Sequence, residues 1–218
     1  MSSRNARKDT AKIGNPTSAF DRDHQRNRKW EAVLRAAASA FNRRGYANTS
    51  LDDIAATLGV SKPTLYQYFS SKQEILYRCH QLALDQGDAG IALAEVNRGT
   101  GLDRLVIYLQ TYMRGFFGQI GAGPVLTDVD SLTPANRKKV VERRSRISAA
   151  TTRFVAQGVK DGSIVNCDPK LASLFALSVM NWMACWYRED GPNTPDEIMS
   201  TFMMLFRSAL TRKADPQP

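Results

Sequence analysis

Residues 51–69 read LDDIAATLGVSKPTLYQYF, and the fold turns on this stretch. Leu51, Ile54, Ala55 and Leu58 recur at helical spacing and form one inner face. Ser50, or Thr49 before it, supplies a capping oxygen, and Asp53 three positions after Ser50 completes a box-like start. Gly59 breaks this short helix, Ser61 caps a second, and Leu65 and Phe69 point inward from it. With Lys62 set at zero and about 100° added per residue, Leu65 and Phe69 fall near 300° and 340°, whereas Pro63, Gln67 and Thr64 fall near 100°, 140° and 200°. Lys62, Tyr66 and Tyr68 flank that outer face. A small, amide-bearing face suits base edges, and borders with hydroxyls and an ammonium suit phosphates. Gln67 has the groups to bond adenine in bidentate fashion, and the Thr64 methyl matches a thymine methyl. Two short helices about a glycine turn predict a helix-turn-helix whose second helix enters a DNA major groove.

On either side of this unit the chain also reads as helix. Upstream, Trp30, Val33, Leu34, Ala37 and Phe41 recur at helical intervals until Gly45 stops the run. Downstream, Ser71 and Glu74 open a longer helix carrying Ile75, Leu76, Leu82 and Leu84. A strongly apolar stretch from Leu102 to Ile120 ends at the Gly-Ala-Gly-Pro break of 121–124. Thr133-Pro134, Asp168-Pro169 and Thr194-Pro195 then start three helices, with proline at the first position, where its missing N–H costs nothing. No alternating strand pattern occurs. The prediction is an all-α fold of about nine helices. Its parts are a flexible basic arm over 1–26, a helix-turn-helix DNA-binding domain over 27–76, a ligand-binding and dimerisation domain over 77–213, and a tail over 214–218.

Composition narrows the function. The 218 residues carry 30 Lys and Arg against 21 Asp and Glu, a formal charge of +9. Residues 1–80 hold 14 of those basic groups and 7 acidic ones, so the excess sits beside the helix-turn-helix. A polyanionic partner is the reading this favours. No apolar run approaches the ~18–20 residues of a membrane span, and the polar N-terminus lacks a signal peptide, so the expected location is cytoplasmic, without membrane association. Cys79, Cys167 and Cys185 are too few and too scattered for a disulfide framework or zinc site. His24 and His80 lack metal-ligand spacing. With no nucleophile–base set, Walker loop or dinucleotide fingerprint, neither catalysis nor a cofactor or metal is expected.

From Trp30 to Leu76 the chain resembles the N-terminal domain of TetR-family transcriptional regulators. The residues that carry the resemblance are Phe41, Gly45, Tyr46, Thr49, Ile54, Ala55, Gly59, Val60, Ser61, Leu65, Tyr66, Phe69, Lys72 and Leu76. It implies an all-helical homodimer that represses a palindromic double-stranded DNA operator until a small-molecule effector binds. For the DNA contacts it implies Thr49, with Ser50 beside it, at a phosphate, Tyr66, Tyr68 and Lys72 on the backbone, and Lys62, Pro63, Thr64 and Gln67 facing bases. Pro63 departs from the family, which more often has Gly, Ala or Ser there, and it removes one backbone donor. The basic arm, with Arg4, Arg7, Lys8, Lys12, Arg22, Arg26, Arg28 and Lys29, fits both a groove contact and a solubilising tail.

The C-terminal half should supply the dimer interface and the effector pocket. Phe175, Val179, Trp182 and Trp186 follow helical spacing, as do Ile198, Phe202, Leu205 and Ala209, and two such seams build a helix bundle across a twofold axis. Tyr108, Tyr112, Met113, Phe116 and Phe117 give one helix a wide aromatic surface that suits core or an apolar ligand. The helix from Pro134 carries Arg137, Lys138, Lys139, Arg143, Arg144, Arg146 and Arg153, either a solvated face or a phosphate-recognising one. In helical projection Arg143, Arg146 and Arg153 lie away from the apolar side of Val140, Ile147 and Phe154. The string NW…WYR…DGP…EI (Asn181, Trp182, Trp186, Tyr187, Arg188, Asp190, Gly191, Pro192, Glu197, Ile198) is similar to TetR-type regulators of fatty-acid, steroid or other acyl-CoA breakdown. That resemblance implies a CoA thioester effector, with Trp182, Trp186, Arg143, Arg146 and Arg188 joining the aromatic residues as ligand contacts. Two other readings stand beside it: a helical small-molecule-binding protein, and a thiol-based redox sensor using the cysteines.

Overall fold

The computed structural model, described over residues 16–118, 128–188 and 190–211, is helical wherever it is regular. Among these residues eight helices follow in order: α1 (Pro16–Arg44), α2 (Leu51–Leu58), α3 (Lys62–Tyr66), α4 (Lys72–Val96), α5 (Gly101–Gly118), α6 (Pro134–Asp161), α7 (Pro169–Trp186) and α8 (Pro195–Leu210). The all-α expectation holds, with eight helices in place of about nine.

Two boundaries differ from the sequence reading. α1 begins at Pro16, inside the stretch expected to be a flexible arm, and residues 1–15 lie outside the described part. Residues 24–29 are exposed, so this turn and more of helix buries nothing and leaves no apolar periodicity to read. α4 runs unbroken through Gly87 and Gly90 because helices cross there: a Cβ on Gly87 would meet the Ile147 side chain at 2.7 Å, and one on Gly90 would meet Tyr108 at 3.2 Å. The expected domain boundary after residue 76 therefore falls inside a continuous helix.

The turns of the N-terminal unit follow their sequence signals. Gly45 takes φ +80° after α1, and its N–H donates to the Phe41 carbonyl at 2.9 Å. Ser50 and Asp53 form the reciprocal capping box of α2, and Gly59 closes that helix with φ +65°. Ser61 stands at the start of α3 but caps no backbone N–H; its hydroxyl instead bonds the Thr64 hydroxyl at 2.8 Å. Leu34, Ile54, Leu65, Ile75, Leu76 and Cys79 are buried together, with Trp30 stacked on Phe69 at 5.9 Å. Burial of Leu65 and Phe69 fixes which side of α3 faces out.

In the C-terminal part, α4, α5 and α6 pack around Leu105, Leu109, Met113, Ile147 and Phe154. α5 and α6 approach so closely at Gly101 that a Cβ there would overlap the Gly158 backbone. α7 joins α6 through a buried hydroxyl pair, Thr151 to Ser173 at 2.8 Å. Thr133, Asp168 and Thr194 cap α6, α7 and α8 as their proline-led starts predict.

Candidate functional site

The outer side of α3 is open. Pro63, Tyr66 and Gln67 are exposed, with Tyr66 at 50%, while Lys62 and Thr64 are half-covered. Beyond Tyr66 the chain keeps its helical sense: Gln67 has φ −70°, ψ −20°, and the Tyr68 N–H donates to Leu65 at 2.9 Å. The Lys62 ammonium lies 2.8 Å from Asp52 on α2, and this contact and its charge raise the lysine's pKa. The pair is solvent-exposed, so a phosphate can compete for the ammonium. Tyr68 packs partly against the core.

Two residues assigned to phosphates face inward. Thr49 is 1% exposed, and its hydroxyl donates to the carbonyls of Gly45 and Ala40 at 2.9 and 3.3 Å. The Lys72 ammonium donates to the carbonyls of Tyr46 and Thr49, both at 2.9 Å, and lies 4.1 Å from the Tyr46 ring centre. Both residues tie the α1–α2 turn together. Ser50 is exposed, but its hydroxyl and N–H are committed to Asp53, whose carboxyl is held below its ordinary pKa by those bonds.

The residues proposed for a ligand divide. Tyr108, Met113 and Phe116 are buried, Tyr112 and Phe117 are half-buried, and Phe116 and Phe117 meet edge to face at 5.3 Å. Arg143 is clamped by Asp88 and Asp85 of α4. Arg146 is exposed, and Arg188 pairs with its neighbour Asp190 at 3.1 Å. Trp182 and Trp186 point to solvent at 64% and 43% exposure. These five are not gathered around the aromatic interior.

The polar residues that do reach that interior are others. His80 of α4 is wholly buried, and Arg144 of α6 places a guanidinium nitrogen 3.3 Å from its Nδ1. Burial, then the Arg144 charge, pushes the His80 pKa down to about 4, so the ring is neutral near pH 7. The Tyr112 hydroxyl donates to Asn181 Oδ1 at 3.1 Å, and burial raises its pKa to about 12. The sequence carried a signal for both missed residues. Arg144 follows Val140 by four on α6, and His80 follows Leu76 by four on α4, so each shares the face of a buried apolar residue.

The outer faces of α7 and α8 form an apolar surface. Leu171, Leu174, Phe175, Trp182 and Trp186 on α7 and Met204 and Leu205 on α8 are all exposed. Of the residues assigned to a dimer seam, Val179 and Phe202 are half-buried beside this surface, whereas Ile198 is buried in the core. Among the described residues no His/Cys/Asp/Glu group could hold a metal ion, and no helix is long and apolar enough to cross a membrane. Cys79 is buried, with its thiol pKa pushed up to about 12, unlike a reactive thiolate.

Comparison with known proteins agrees with this arrangement. A family model for bacterial regulatory proteins of the tetR family matches residues 33–79, and one for the tetracyclin repressor-like C-terminal domain matches 98–210. The chain belongs to the TetR family of transcriptional regulators. The TetR-family regulator PfmR from Thermus thermophilus is 32% identical, with a TM-score of 0.70 over 83% of this chain and 99% of PfmR. The transcriptional repressor KstR2 of Rhodococcus jostii is 28% identical over 207 residues, 89% of this chain and 97% of that protein. AibR, solved with isovaleryl coenzyme A and operator DNA, is 21% identical with a TM-score of 0.66, over 81% of this chain and 96% of AibR, and shares the fold. The TetR family consists of transcriptional regulators rather than enzymes.

Proposed function

We propose that this TetR-family chain is a cytoplasmic repressor that binds a palindromic operator as a homodimer and is released by a small-molecule effector. The observation that carries the reading is the outward face of α3. Leu65 and Phe69 lock its other side into the core, leaving Pro63, Thr64, Tyr66 and Gln67 presented as a rigid unit. Residues 27–76 act as the DNA-binding domain and 77–213 as the effector and dimerisation domain, joined through α4. The apolar surface of α7 and α8 is the seam, because an exposed patch with two tryptophans is what a second copy would cover. Two α3 helices then enter successive major grooves about 34–36 Å apart. The effector binds among α4, α5, α6 and α7, and the C-terminal resemblance supports an acyl-CoA; AibR, of the same fold, was solved with one.

Fluorescence anisotropy with DNA from the chain's own promoter region tests this. The expected result is salt-dependent, saturable binding by a dimer, weakened in Gln67→Ala by about 1–3 kcal/mol, or ~5–150-fold, if Gln67 reads an adenine. A folded dimer that binds no such DNA at moderate salt would reject the reading.

A further inference from the structure

Polar side chains from four helices meet at the aromatic interior or its rim: His80 from α4, Tyr112 from α5, Arg144 from α6 and Asn181 from α7. Tyr112 and Asn181 satisfy each other. His80 and Arg144 differ. A guanidinium only donates, so its contact makes Nδ1 the acceptor and leaves the ring proton on Nε2. That Nε2 is buried without a hydrogen-bond partner, the Asp128 backbone being near but short of a bond. A buried unsatisfied donor costs roughly 1–3 kcal/mol, and nothing in the packing of α4 repays it. Arg144 itself meets a neutral imidazole on α4, where Arg143, one residue earlier, meets two carboxylates. The pair therefore offers donors and positive charge to whatever enters, and no acceptor.

We infer that Arg144 and His80 bind the carboxylate of an organic acid whose apolar body lies along Tyr108, Met113, Phe116 and Met183. Amines are excluded, because the locus holds a cation and an imidazole with its one acceptor nitrogen taken. Alcohols fill the apolar part but bring no charge to the guanidinium. Met113 and Met183, both fully buried, are flexible side chains that reshape around such a body. The inference rests on the effector-responsive reading and gives its effector a carboxylate, free of any coenzyme.

The test uses the full chain with octanoate, decanoate and 4-phenylbutyrate, each beside its matched alcohol and amine, and with decanoyl-CoA. Isothermal titration is expected to give at least one acid bound about tenfold or more tighter than its alcohol, with no amine bound, the scale of one charge-assisted hydrogen bond. Arg144→Gln should lose that advantage, and Arg144→Lys should keep part of it, with operator affinity unchanged in both. Because the chain has only two histidines and His24 is exposed, a slowly exchanging imidazole N–H in the proton spectrum reports His80 directly. It should move when the acid is added and stay when the amine is. Equal binding of acid and alcohol, an unaltered Arg144→Gln, or binding of decanoyl-CoA alone would overturn the inference. Failure to bind any operator would instead strike the regulator reading and leave the ligand result standing.

Discussion

Lys72 separates two accounts of one position in the motif: a phosphate contact, or an internal tie. In the structure its ammonium makes two hydrogen bonds to main-chain carbonyls and lies over the Tyr46 ring. Bonds from a charged donor contribute ~1.5–3 kcal/mol each when buried, and a cation–π contact ~0.5–1 kcal/mol. The lysine is half-exposed, which brings the sum to roughly 2–3 kcal/mol. Lys72→Met keeps the aliphatic stem and removes the ammonium. For a chain of this size the loss corresponds to a fall in Tm of roughly 5–10 °C. Operator affinity should also drop, since the turn that holds α1 against α2 is loosened. The slope of log affinity against log salt should not change, because no phosphate is released. A lysine on the DNA backbone would behave in the opposite way: Tm would hold and the slope would shrink by ~0.9. Thermal unfolding and anisotropy over a salt series give both numbers, and the second pattern would refute the internal tie.

Three further outcomes follow from other contacts. Trp186→Glu places a charge in the apolar surface of α7 and α8 and should yield a monomer by sedimentation velocity, with helical content retained and operator affinity lost; a dimer unaffected by the change would move the seam elsewhere. Unfolded, His80 titrates near 6.5, but its folded pKa is about 4. Between those values the unfolded chain binds the extra proton, so stability is complete above the unfolded value and declines as pH falls. The decline from pH 7.5 to 5 is about 2 kcal/mol by urea unfolding, and it should vanish in His80→Gln. A Cβ at Gly101 overlaps the Gly158 backbone, which cannot move aside as a side chain would. Gly101→Ala should cost on the order of 3 kcal/mol, and a Tm equal to that of the parent would show that α5 and α6 cross less closely.

The helices were legible because their signals are local. Gly45 and Gly59 stop helices by a backbone angle that glycine alone adopts freely, and the Thr-Pro and Asp-Pro starts act within one turn. The outward face of α3 was legible for the same reason, since Leu65 and Phe69 declare the inward side. What a polar residue touches is not local. Thr49 and Lys72 have the chemistry for phosphates, yet carbonyls of the α1–α2 turn reach them first, and only the packed structure shows that. The run of arginines on α6 reads as a single charged face, but a helix of that length has room for three environments. Arg146 is in water, Arg143 is paired to α4, and Arg144 is turned inward.

The position of α4 explains why the DNA-binding and effector roles need not be separate devices. Along this one helix, Lys72 holds the turn between α1 and α2, Gln73 donates to the Ser131 carbonyl, His80 meets Arg144, and Asp85 and Asp88 hold Arg143. The segment carrying Ser131 also sets Asp128 near Tyr46, where its charge adds to the burial that raises the tyrosine's pKa. From His80 to Lys72 is eight residues, about 12 Å at 1.5 Å each, so a tilt of only ~5° about His80 displaces the Lys72 end by ~1 Å. Because Gly87 and Gly90 leave no side chain to slide past, the far half of α4 is fixed against α5 and α6, and the near half is the part free to respond. A ligand that changes where Arg144 sits acts on the tied end of that lever, and the α1–α2 turn and α3 lie at the other.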